Sequence, residues 1–402
     1  MIHVCLSLYD KNGTYSKFTG TTMLSIFENT SSPVTIHILH DKTLTQDNRE
    51  KFIYIAGRYS QAVKFYNVDE LCAEKLSKLV ALVPAVKNSR VSVGAFYRIL
   101  IPQLLSDDIE KIIYLDSDIV VNLDINELWK IDLDKKVLAA APEAVINYLD
   151  HDFHSKTKFL IANGFVKPED YFNSGVMLMS LNYLRNAEDT IMNGVKWRGE
   201  HTQCDCFDQD ILNYLFSKDY LKLDEKFDVF VSIDRRRGYN SIRKAIYHYG
   251  GRTCTLDMSD PFNALWMKYF VKTPWFNEKI IARLYEKFFQ AQAEIKKSAM
   301  NLFSAAGGKP RVFIVDKTEL DGLKENFSIR EDEEIFAVDG TISFWNLVAG
   351  MKSLRGQKIF FFLLGGFPFN KLEKAGFVRG KDFVDGFDFS PNFNSYQFIN
   401  AM

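Results

Sequence analysis

The sequence lacks the features that would place it within a membrane or on a nucleic acid. No apolar run approaches the ~20 residues that a membrane-spanning helix needs. The 50 basic and 51 acidic residues leave a formal net charge of −1, without the basic excess that is typical of nucleic-acid-binding proteins. We therefore expect neither a transmembrane segment nor a nucleic-acid partner.

Cysteine is also scarce, and no two cysteines stand at CxxC spacing. The five cysteines are Cys5, Cys72, Cys204, Cys206 and Cys254. The segment MIHVCLSLYD has neither the basic start nor the long apolar core of a signal peptide. These absences predict reduced thiols in a cytoplasmic protein. A zinc cluster of His201, Cys204 and Cys206 would lack both regular spacing and a fourth ligand, so we disfavour it.

The composition favours a folded protein of two domains. The 402 residues are 47% hydrophobic, 25% charged and 14% aromatic. Single hydrophobic cores stop growing near ~250–300 residues. Gly308 and Pro310 interrupt the chain after a long amphipathic segment. We predict a first domain over residues 1–275, an amphipathic helix and linker over 276–309, and a small α/β domain over 310–402.

Strand-like and helix-like segments alternate along the first domain. The strand-like runs IHVCLSL, TIHILH, AVKFYNV and KIIYLDSD are separated by segments with helical spacing, such as TQDNREKFIYIAGRY, which should begin at Thr45 or Gln46. VGAFYRILIPQLL should be a helix that kinks or ends near Pro102. This alternation predicts an α/β fold with a mostly parallel central sheet. Ligands of such sheets bind beyond the carboxyl ends of the strands.

Two aspartates stand where the strand-like run IIYL ends. Asp116 and Asp118 are separated by one serine, and a second apolar run follows. Burying unpaired carboxylates costs several kcal/mol, so a compensating partner is expected. Oxygen ligands of this kind suit Mg²⁺ or Mn²⁺. The other interpretation is an exposed turn with solvated aspartates.

Four segments in a fixed order carry a family resemblance: YLDSD, YFNSG, FDQDILN and YHYGG. A single DxD is a weak signal, but the ordered set resembles glycosyltransferase family 8 over roughly residues 1–275. That family includes glycogenin, galactinol synthase and bacterial lipopolysaccharide glucosyl- and galactosyltransferases. The resemblance implies a GT-A fold, in which an aspartate pair binds a metal ion that bridges the diphosphate of a nucleotide sugar.

The resemblance also implies the metal ligands. Asp116 and Asp118 match the aspartate pair of the family, and His248 matches the histidine that completes the metal site. A nitrogen ligand among oxygens favours Mn²⁺ over Mg²⁺. Taken alone, His248 would be interpreted as a packed strand histidine.

The segment DQD matches the residues around the anomeric carbon of the donor sugar. Asp208, Gln209 and Asp210 are therefore the catalytic candidates, although Asp208 also suits a helix cap. Gln209 is an uncharged amide and a poor nucleophile, so we expect it to position the sugar. The family retains anomeric configuration, which implies a front-face displacement. Asp210 is the nearby carboxylate that a double displacement would use.

Further residues are expected to bind a UDP-sugar donor. CLSLYDKNGTY resembles the family loop that holds the nucleobase and ribose, and the arginine of AFYRILIP needs an anionic partner among its apolar neighbours. Two glycines after the histidine permit the close approach of a phosphate. Arg252 would replace the lysine with which the family contacts the diphosphate, and Lys272 is its rival. The donor-binding candidates are Ser7, Leu8, Asp10, Tyr15, Arg98, Ser117, Asn173, Gly250, Gly251 and Arg252.

The expected partners are a UDP-hexose, carrying glucose or galactose, and a glycan, glycoprotein or lipopolysaccharide-type acceptor. Residues 150–170, with Asp152 and His154, could form a lid over the acceptor. The segment 276–304 alternates basic and aromatic residues. Peripheral contact with the inner membrane surface therefore competes with packing against the catalytic domain as its role.

Two other classes of protein compete with a glycosyltransferase. An inactive nucleotide-sugar-binding module would bind UDP without transfer or hydrolysis. A haloacid dehalogenase-like phosphatase also places a DxD after a strand, but usually near the start of its chain. Such a phosphatase has a threonine at the position where this sequence has Val120.

Overall fold

The computed structural model forms two compact units. One unit spans Met1–Asn277 and the other begins at Glu278. The described residues are 1–11, 13–88, 92–144, 159–204, 206–250, 258–282, 286, 290, 308–317, 320, 329–338, 344–364 and 367–385. The strands of each unit pair only with one another, and each unit has its own buried core.

The first unit is built on a seven-stranded sheet and a smaller three-stranded sheet. Its strands are β1 (Ile2–Leu8), β2 (Val34–His40), β3 (Ala62–Asn67), β4 (Lys111–Leu115), β5 (Ile119–Val121), β6 (Leu138–Pro142), β7 (Phe172–Ser180), β8 (Leu221–Lys222), β9 (Val229–Phe230) and β10 (Ile246–His248). The large sheet has the order β3-β2-β1-β4-β7-β6-β8. Only the pairs that involve β7 are antiparallel, so the predicted mostly parallel sheet is confirmed.

The central strands of the large sheet are buried along almost their whole length. Every residue of β2 is buried, and so is every residue of β7 up to its last, as expected for strands covered on both faces. Leu6 of β1 lies opposite both Ile38 and Leu115, so β1, β2 and β4 end at the same edge of the sheet. Because β7 runs in the opposite direction, its amino end reaches this carboxyl edge as well.

Helices connect and cover the strands of the first unit. They are α1 (Ser16–Asn29), α2 (Gln46–Arg58), α3 (Val68–Leu71), α4 (Ala73–Leu82), α5 (Tyr97–Leu104), α6 (Asn126–Trp129), α7 (Phe159–Ala162), α8 (Leu181–Arg185), α9 (Glu188–Glu200), α10 (Phe207–Phe216), α11 (Val231–Arg236) and α12 (Pro261–Phe270). Short 3₁₀ helices occupy Pro84–Asn88, Val93–Phe96, Pro168–Asp170 and Glu225–Phe227.

Two of the predicted helix boundaries have a clear local cause. α2 begins where predicted, because the hydroxyl of Thr45 accepts the N–H of Asn48 at 3.2 Å and so caps the helix. α5 contains Pro102 and ends two residues later at Leu104. The segment predicted as one helix there is a 3₁₀ turn followed by α5. The early end of α5 is as expected for a proline that removes a helical hydrogen bond.

The smaller sheet brings distant parts of the chain together at the carboxyl edge. Its order is β5-β10-β9. β5 and β10 are antiparallel, with Ile119 opposite His248, and β9 is parallel to β10, with Phe230 opposite His248. Because β5 starts directly after Asp118, this pairing places His248 beside the two aspartates that follow β4.

Helix α1 fastens the β4–β5 turn through three polar side chains. The hydroxyl of Thr22 lies 2.9 Å from the carbonyl of Ser117 and 2.6 Å from that of Ile119. The hydroxyl of Ser25 accepts the N–H of Val121 at 2.9 Å. The amide of Asn29 donates to the carbonyl of Val121 at 2.9 Å. The turn that carries Asp118 is therefore held from one side by a buried helix.

The second unit is a small α/β structure with a four-stranded parallel sheet. Its strands are β11 (Arg311–Asp316), β12 (Glu334–Val338), β13 (Ile359–Leu363) and β14 (Phe383–Asp385), in the order β12-β11-β13-β14. Its helices are α13 (Phe344–Ser353) and α14 (Phe369–Lys374). Val312, Met351 and Phe362 are among its fully buried core residues.

The amphipathic segment before the second unit is described only in part. Residues 278–282 are helical, while most of the predicted helix over 276–304 lies outside the described residues. Residues 150–158 of the predicted lid, with Asp152 and His154, also lie outside them. Among the helices that are described, none is long and apolar enough to cross a membrane.

Candidate active site

Two carboxylates and one imidazole meet at the carboxyl edge of the sheet. The Nε2 atom of His248 lies 3.6 Å from Oδ1 of Asp118 and 3.8 Å from Oδ2 of Asp116. Two ligands that are each ~2.0–2.2 Å from one cation lie at most ~4.4 Å apart, so these separations fit a shared ion. In the part of the chain that the structure describes, this is the one cluster of three such ligand groups within 4.8 Å of one another.

The ring of His248 is held on three sides. Its Nδ1 lies 3.0 Å from Oδ1 of Asp228, and the ring centroid lies 4.5 Å from that of Phe230. A Cβ atom at Gly175 would stand only 2.4 Å from Cε1 of the imidazole. Any side chain at position 175 would therefore displace the ring. With Nδ1 engaged by Asp228, Nε2 is the nitrogen that faces Asp116 and Asp118.

The charges around His248 favour a positive group at this place. Burial would lower the pKa of His248, but Asp228 and Asp118 together raise it well above its ordinary value. Burial likewise raises the pKa of Asp228, against the opposing effect of His248. The cluster therefore concentrates negative charge that a proton or a metal cation compensates.

Arg98 links the aspartate pair to α10. Its Nη2 donates to Oδ1 of Asp116 at 2.8 Å, its Nη1 donates to the carbonyl of Ser174 at 2.8 Å, and its Nε lies 2.9 Å from Oδ2 of Asp208. The guanidinium stacks 4.5 Å above the ring of Tyr114. Burial opposes its charge, but the two carboxylates raise the pKa of Arg98 above its ordinary value. The anionic partner that the sequence required is thus supplied by the chain itself, and contact with a donor stays a prediction.

A carboxylate that the sequence did not single out joins the two predicted sugar-contacting amides. Oε2 of Glu143 accepts from the amide nitrogen of Asn173 at 2.9 Å and from that of Gln209 at 3.0 Å. Oε1 of Gln209 accepts the N–H of Ser174 at 3.0 Å. Glu143 is 4% exposed. Both amides are therefore fixed in orientation by neighbours from β7 and from the end of β6.

The two acidic side chains of DQD have different surroundings. Asp208 faces Arg98, and burial raises its pKa above the ordinary value although Arg98 opposes this shift. Asp210 accepts the hydroxyl of Tyr171 at 2.7 Å and the N–H of Cys206 at 2.7 Å. It is therefore Asp210 that satisfies a backbone donor at the start of α10, the role that had been considered for Asp208.

The predicted nucleoside loop is organised by Asp10. Its carboxylate accepts the N–H of Tyr15 at 2.6 Å, the N–H and hydroxyl of Ser16, and the side-chain amide of Asn48 at 3.2 Å. These contacts satisfy donors at the beginning of α1. The ring of Tyr15 packs 5.9 Å from that of Phe18. The structure thus gives Asp10 a local structural role, and base or ribose binding by Asp10 and Tyr15 stays a prediction.

Ser7, Leu8 and Ser117 lie at the same edge. The hydroxyl of Ser117 donates to the carbonyl of Ser7 at 2.9 Å, which joins the end of β1 to the aspartate turn. Leu8 is fully buried and pairs with His40 of β2. The carboxyl ends of β1 and β4 are therefore joined, as ligand binding across them would require.

The candidates for contact with the diphosphate are only partly described. Gly250 lies in the turn after His248, and a Cβ there would stand 3.0 Å from the Phe230 ring. Gly251 and Arg252 lie outside the described residues. The ammonium of Lys272 lies 2.8 and 2.7 Å from the two carboxylate oxygens of Glu28, at the carboxyl end of α1. The ammonium of Lys272 is thus engaged by a carboxylate of the chain, and contact of Lys272 or Arg252 with the diphosphate stays a prediction.

Two functional candidates escaped the sequence analysis. Glu143 lies between Pro142 and Ala144, and Asp228 lies between Phe227 and Val229 after the charged run DEK; no motif or spacing marks either carboxylate. The one available signal is a lone acidic residue inside a buried segment. The disfavoured zinc cluster has no counterpart among the described residues: His201 instead lies with its Nδ1 2.7 Å from the carbonyl of Trp197.

The family model for glycosyl transferase family 8 matches residues 5–253. A Haemophilus influenzae protein named as a glycosyltransferase is 26% identical over 229 residues, which are 57% of this chain and 64% of that protein. General stress protein A of Bacillus subtilis is 25% identical over 68% of this chain and 95% of its own length. Lipopolysaccharide 1,3-galactosyltransferase of Salmonella typhimurium is 24% identical over 54% of this chain and 60% of its own length.

Solved structures show the same fold. The galactosyltransferase LgtC, in complex with donor and acceptor sugar analogues, has a TM-score of 0.55 at 19% identity over 70% of this chain and 99% of that one. The bifunctional glycosyltransferase WbbM has a TM-score of 0.52 at 18% identity over 68% of this chain and 50% of that one. These similarities show that the first unit has the GT-A fold. The chain belongs to glycosyltransferase family 8, which removes the phosphatase alternative.

Proposed function

We propose that this protein is a metal-dependent, retaining hexosyltransferase that moves glucose or galactose from a UDP-sugar to a carbohydrate-bearing acceptor. The observation that carries the proposal is the Asp116, Asp118 and His248 cluster at the carboxyl edge of a GT-A fold. The galactosyltransferase activity named for the Salmonella relative and for LgtC supports a hexose donor.

The donor set fits a divalent cation. Two carboxylates and one imidazole nitrogen form a mixed oxygen and nitrogen site, which favours Mn²⁺ and also permits Mg²⁺. When bound, the ion supplies Lewis-acid stabilisation of the charge that develops on the departing diphosphate. Arg98 keeps Asp116 oriented for this task through its hydrogen bond at 2.8 Å.

The remaining residues position the donor sugar. Glu143 fixes the amides of Asn173 and Gln209 before any substrate binds, which reduces the entropy lost on binding. We assign hydroxyl contacts of the hexose to these amides and to Asp208. Asp210 is engaged by Tyr171 and Cys206. This arrangement favours front-face displacement over a covalent intermediate on Asp210.

The test is to supply UDP-glucose or UDP-galactose with Mn²⁺, with and without chelator, and to follow UDP release. We expect one donor to be hydrolysed slowly without acceptor, and the chelator to stop the reaction. Asp118→Asn should lower the rate by more than ~100-fold, since charge stabilisation at a developing anion is of that size. Asp47→Asn, on the exposed face of α2, is the matched control and should behave as the wild type.

Release that neither the chelator nor Asp118→Asn affects would contradict the metal assignment. UDP binding without any turnover would instead support the inactive binding module. The cytoplasmic location and peripheral membrane contact stay predictions, and membrane flotation of the full chain would test the second.

A further inference from the structure

One buried carboxylate beside the metal cluster is not used by the proposed chemistry. Asp228 is 3% exposed and precedes β9, the strand that lies next to the one ending in His248. Its Oδ1 lies 3.0 Å from Nδ1 of His248. Among the residues that the structure describes, its Oδ2 has no hydrogen-bond partner. Burying a carboxylate costs several kcal/mol of folding free energy unless its charge is compensated. We therefore expect Asp228 to have a specific role.

A neighbouring carboxylate shows what a purely structural role looks like here. Asp234 lines the same cavity of about 190 Å³ as Asp228. Oδ2 of Asp234 accepts from Nη1 of Arg243 at 2.8 Å, and Arg237 lies 3.9 Å from its other oxygen. The negative charge of Asp234 is thus compensated by Arg237 and Arg243, which line the same cavity. In the described part of the chain, Asp228 makes its hydrogen bond to the metal-site histidine instead.

The geometry fixes which ring nitrogen faces the aspartate pair. If Nδ1–H donates to Asp228, the lone pair of the neutral ring lies on Nε2, the atom that is 3.6 Å from Asp118. Phe230 and Gly175 pack against the ring and leave it little freedom to turn. Carboxylates that bind the far nitrogen of a metal-bound histidine set its tautomer and raise its basicity.

We propose that Asp228 is a positioning residue, which holds His248 in the Nδ1–H tautomer so that Nε2 is presented to a divalent cation between Asp116 and Asp118. This inference rests on the proposed function, because it concerns the metal of that site.

The test compares Asp228→Ala, Asp228→Asn and Glu225→Gln. Glu225 lines the same cavity but does not contact His248, so it is the matched control. Dissociation of Mn²⁺ in the presence of UDP is measured by electron paramagnetic resonance of the free ion. We expect Asp228→Ala to weaken binding by ~10–100-fold, the usual cost of losing such a partner. Asp228→Asn retains an acceptor oxygen and should weaken binding less, and Glu225→Gln should not change it.

A second readout does not depend on activity or on Mn²⁺ affinity. Nitrogen chemical shifts of the histidine rings, with diamagnetic Mg²⁺ in place of Mn²⁺, distinguish the two tautomers. The wild type and Glu225→Gln should show His248 as Nδ1–H, and Asp228→Ala should show a mixture. Thermal melts identify a variant that fails to fold, in which case the comparison rests on Asp228→Asn.

The measurements distinguish a failure of the proposed function from a failure of the positioning role alone. A wild-type protein that binds no Mn²⁺ with UDP would overturn the proposed function together with this inference. Wild-type binding that Asp228→Ala and Asp228→Asn leave intact, with unchanged ring shifts, would overturn the positioning role alone.

Discussion

Two buried histidines of the first unit have opposite electrostatic surroundings. His248, 5% exposed, ends β10 beside Asp228 and Asp118, which raise its pKa well above the ordinary value against the opposing effect of burial. His37, fully buried in β2, lies between His3 and Tyr66, with ring nitrogens 3.0 Å from each. Burial, assisted by His3 and Lys64, lowers the pKa of His37 to about 3.

The difference teaches that burial alone does not decide the charge of a histidine. Burial lowers the pKa of both rings, and only the carboxylates beside His248 reverse that effect. Neutral His37 is satisfied by hydrogen bonds and contributes to packing. His248 lies where positive charge is favoured, which is the condition that a cation site requires.

The same substitution at both histidines should have opposite consequences. His248→Ala removes a metal ligand, and we expect the rate of UDP release to fall by more than ~100-fold. His37→Ala should leave that rate unchanged and lower the free energy of unfolding by roughly 2 kcal/mol, because buried hydrogen bonds are lost. Turnover assays and urea unfolding of both variants check this. Equal loss of activity in the two variants would break the comparison.

A smaller change tests whether the ring of His248 needs its position. Gly175→Ala places a Cβ 2.4 Å from Cε1 of His248 and 2.9 Å from Oδ1 of Asn173, so the ring must leave its present position. We expect Mn²⁺ affinity to fall by ~10–100-fold, as for other changes that misorient a ligand. Gly57→Ala, where nothing lies within 4 Å of the new atom, is the control. Unchanged affinity in Gly175→Ala would contradict the crowding argument.

The lowered pKa of His37 predicts a pH dependence of stability. Because the folded pKa of about 3 lies below the ordinary value of 6.5, the unfolded chain takes up the proton first. Stability is therefore lost as pH falls from 6.5 toward 3, by about 2 kcal/mol at pH 5 relative to pH 7. His3, whose pKa is also lowered, adds a term of the same sign.

Urea unfolding at pH 7 and pH 5 measures this term. His37→Gln keeps hydrogen-bonding groups but cannot titrate, so its stability should change less between the two pH values than that of the wild type. An identical change in both proteins would show that His37 is not a source of the pH dependence.

The smallest expected effect concerns the hydroxyl that satisfies His37. Tyr66→Phe removes the group 3.0 Å from Nδ1 of His37. We expect a loss of about 1 kcal/mol of unfolding free energy, the usual net value of one hydrogen bond. Differential scanning calorimetry would detect it. A more stable variant would show that this contact does not contribute to packing around His37.

The sheet could be predicted because it depends on local signals, the alternation of apolar strand-like runs with helix-like segments. The meeting of Asp116, Asp118 and His248 was expected only from the family resemblance of the ordered segments, because His248 carries no local signal of its own. Asp228 and Glu143 could not be found in this way, because their roles arise from the pairing of β9 with β10 and from the meeting of β6, β7 and α10. β9 has two residues, too few for any periodic pattern.

The sequence also could not predict which charged and polar side chains pair with one another. Arg98 was expected to need an anionic ligand, but Asp116 and Asp208 of the chain itself pair with it. The two aspartates of DQD also have different partners, which only the tertiary packing determines. Which carboxylate faces Arg98 and which faces Tyr171 depends on how α10 is rotated against β7.

The fastening of the β4–β5 turn by Thr22, Ser25 and Asn29 bears on which ions the protein can accept. A turn that is hydrogen-bonded to a buried helix cannot easily move outward. The proposed metal site should therefore discriminate between cations by their radius. Ca²⁺, with ligand distances of ~2.3–2.6 Å, would have to stretch contacts that suit ions of ~2.0–2.2 Å. For the proposed metal site, we therefore expect a helix that contributes no ligand to influence which ion binds.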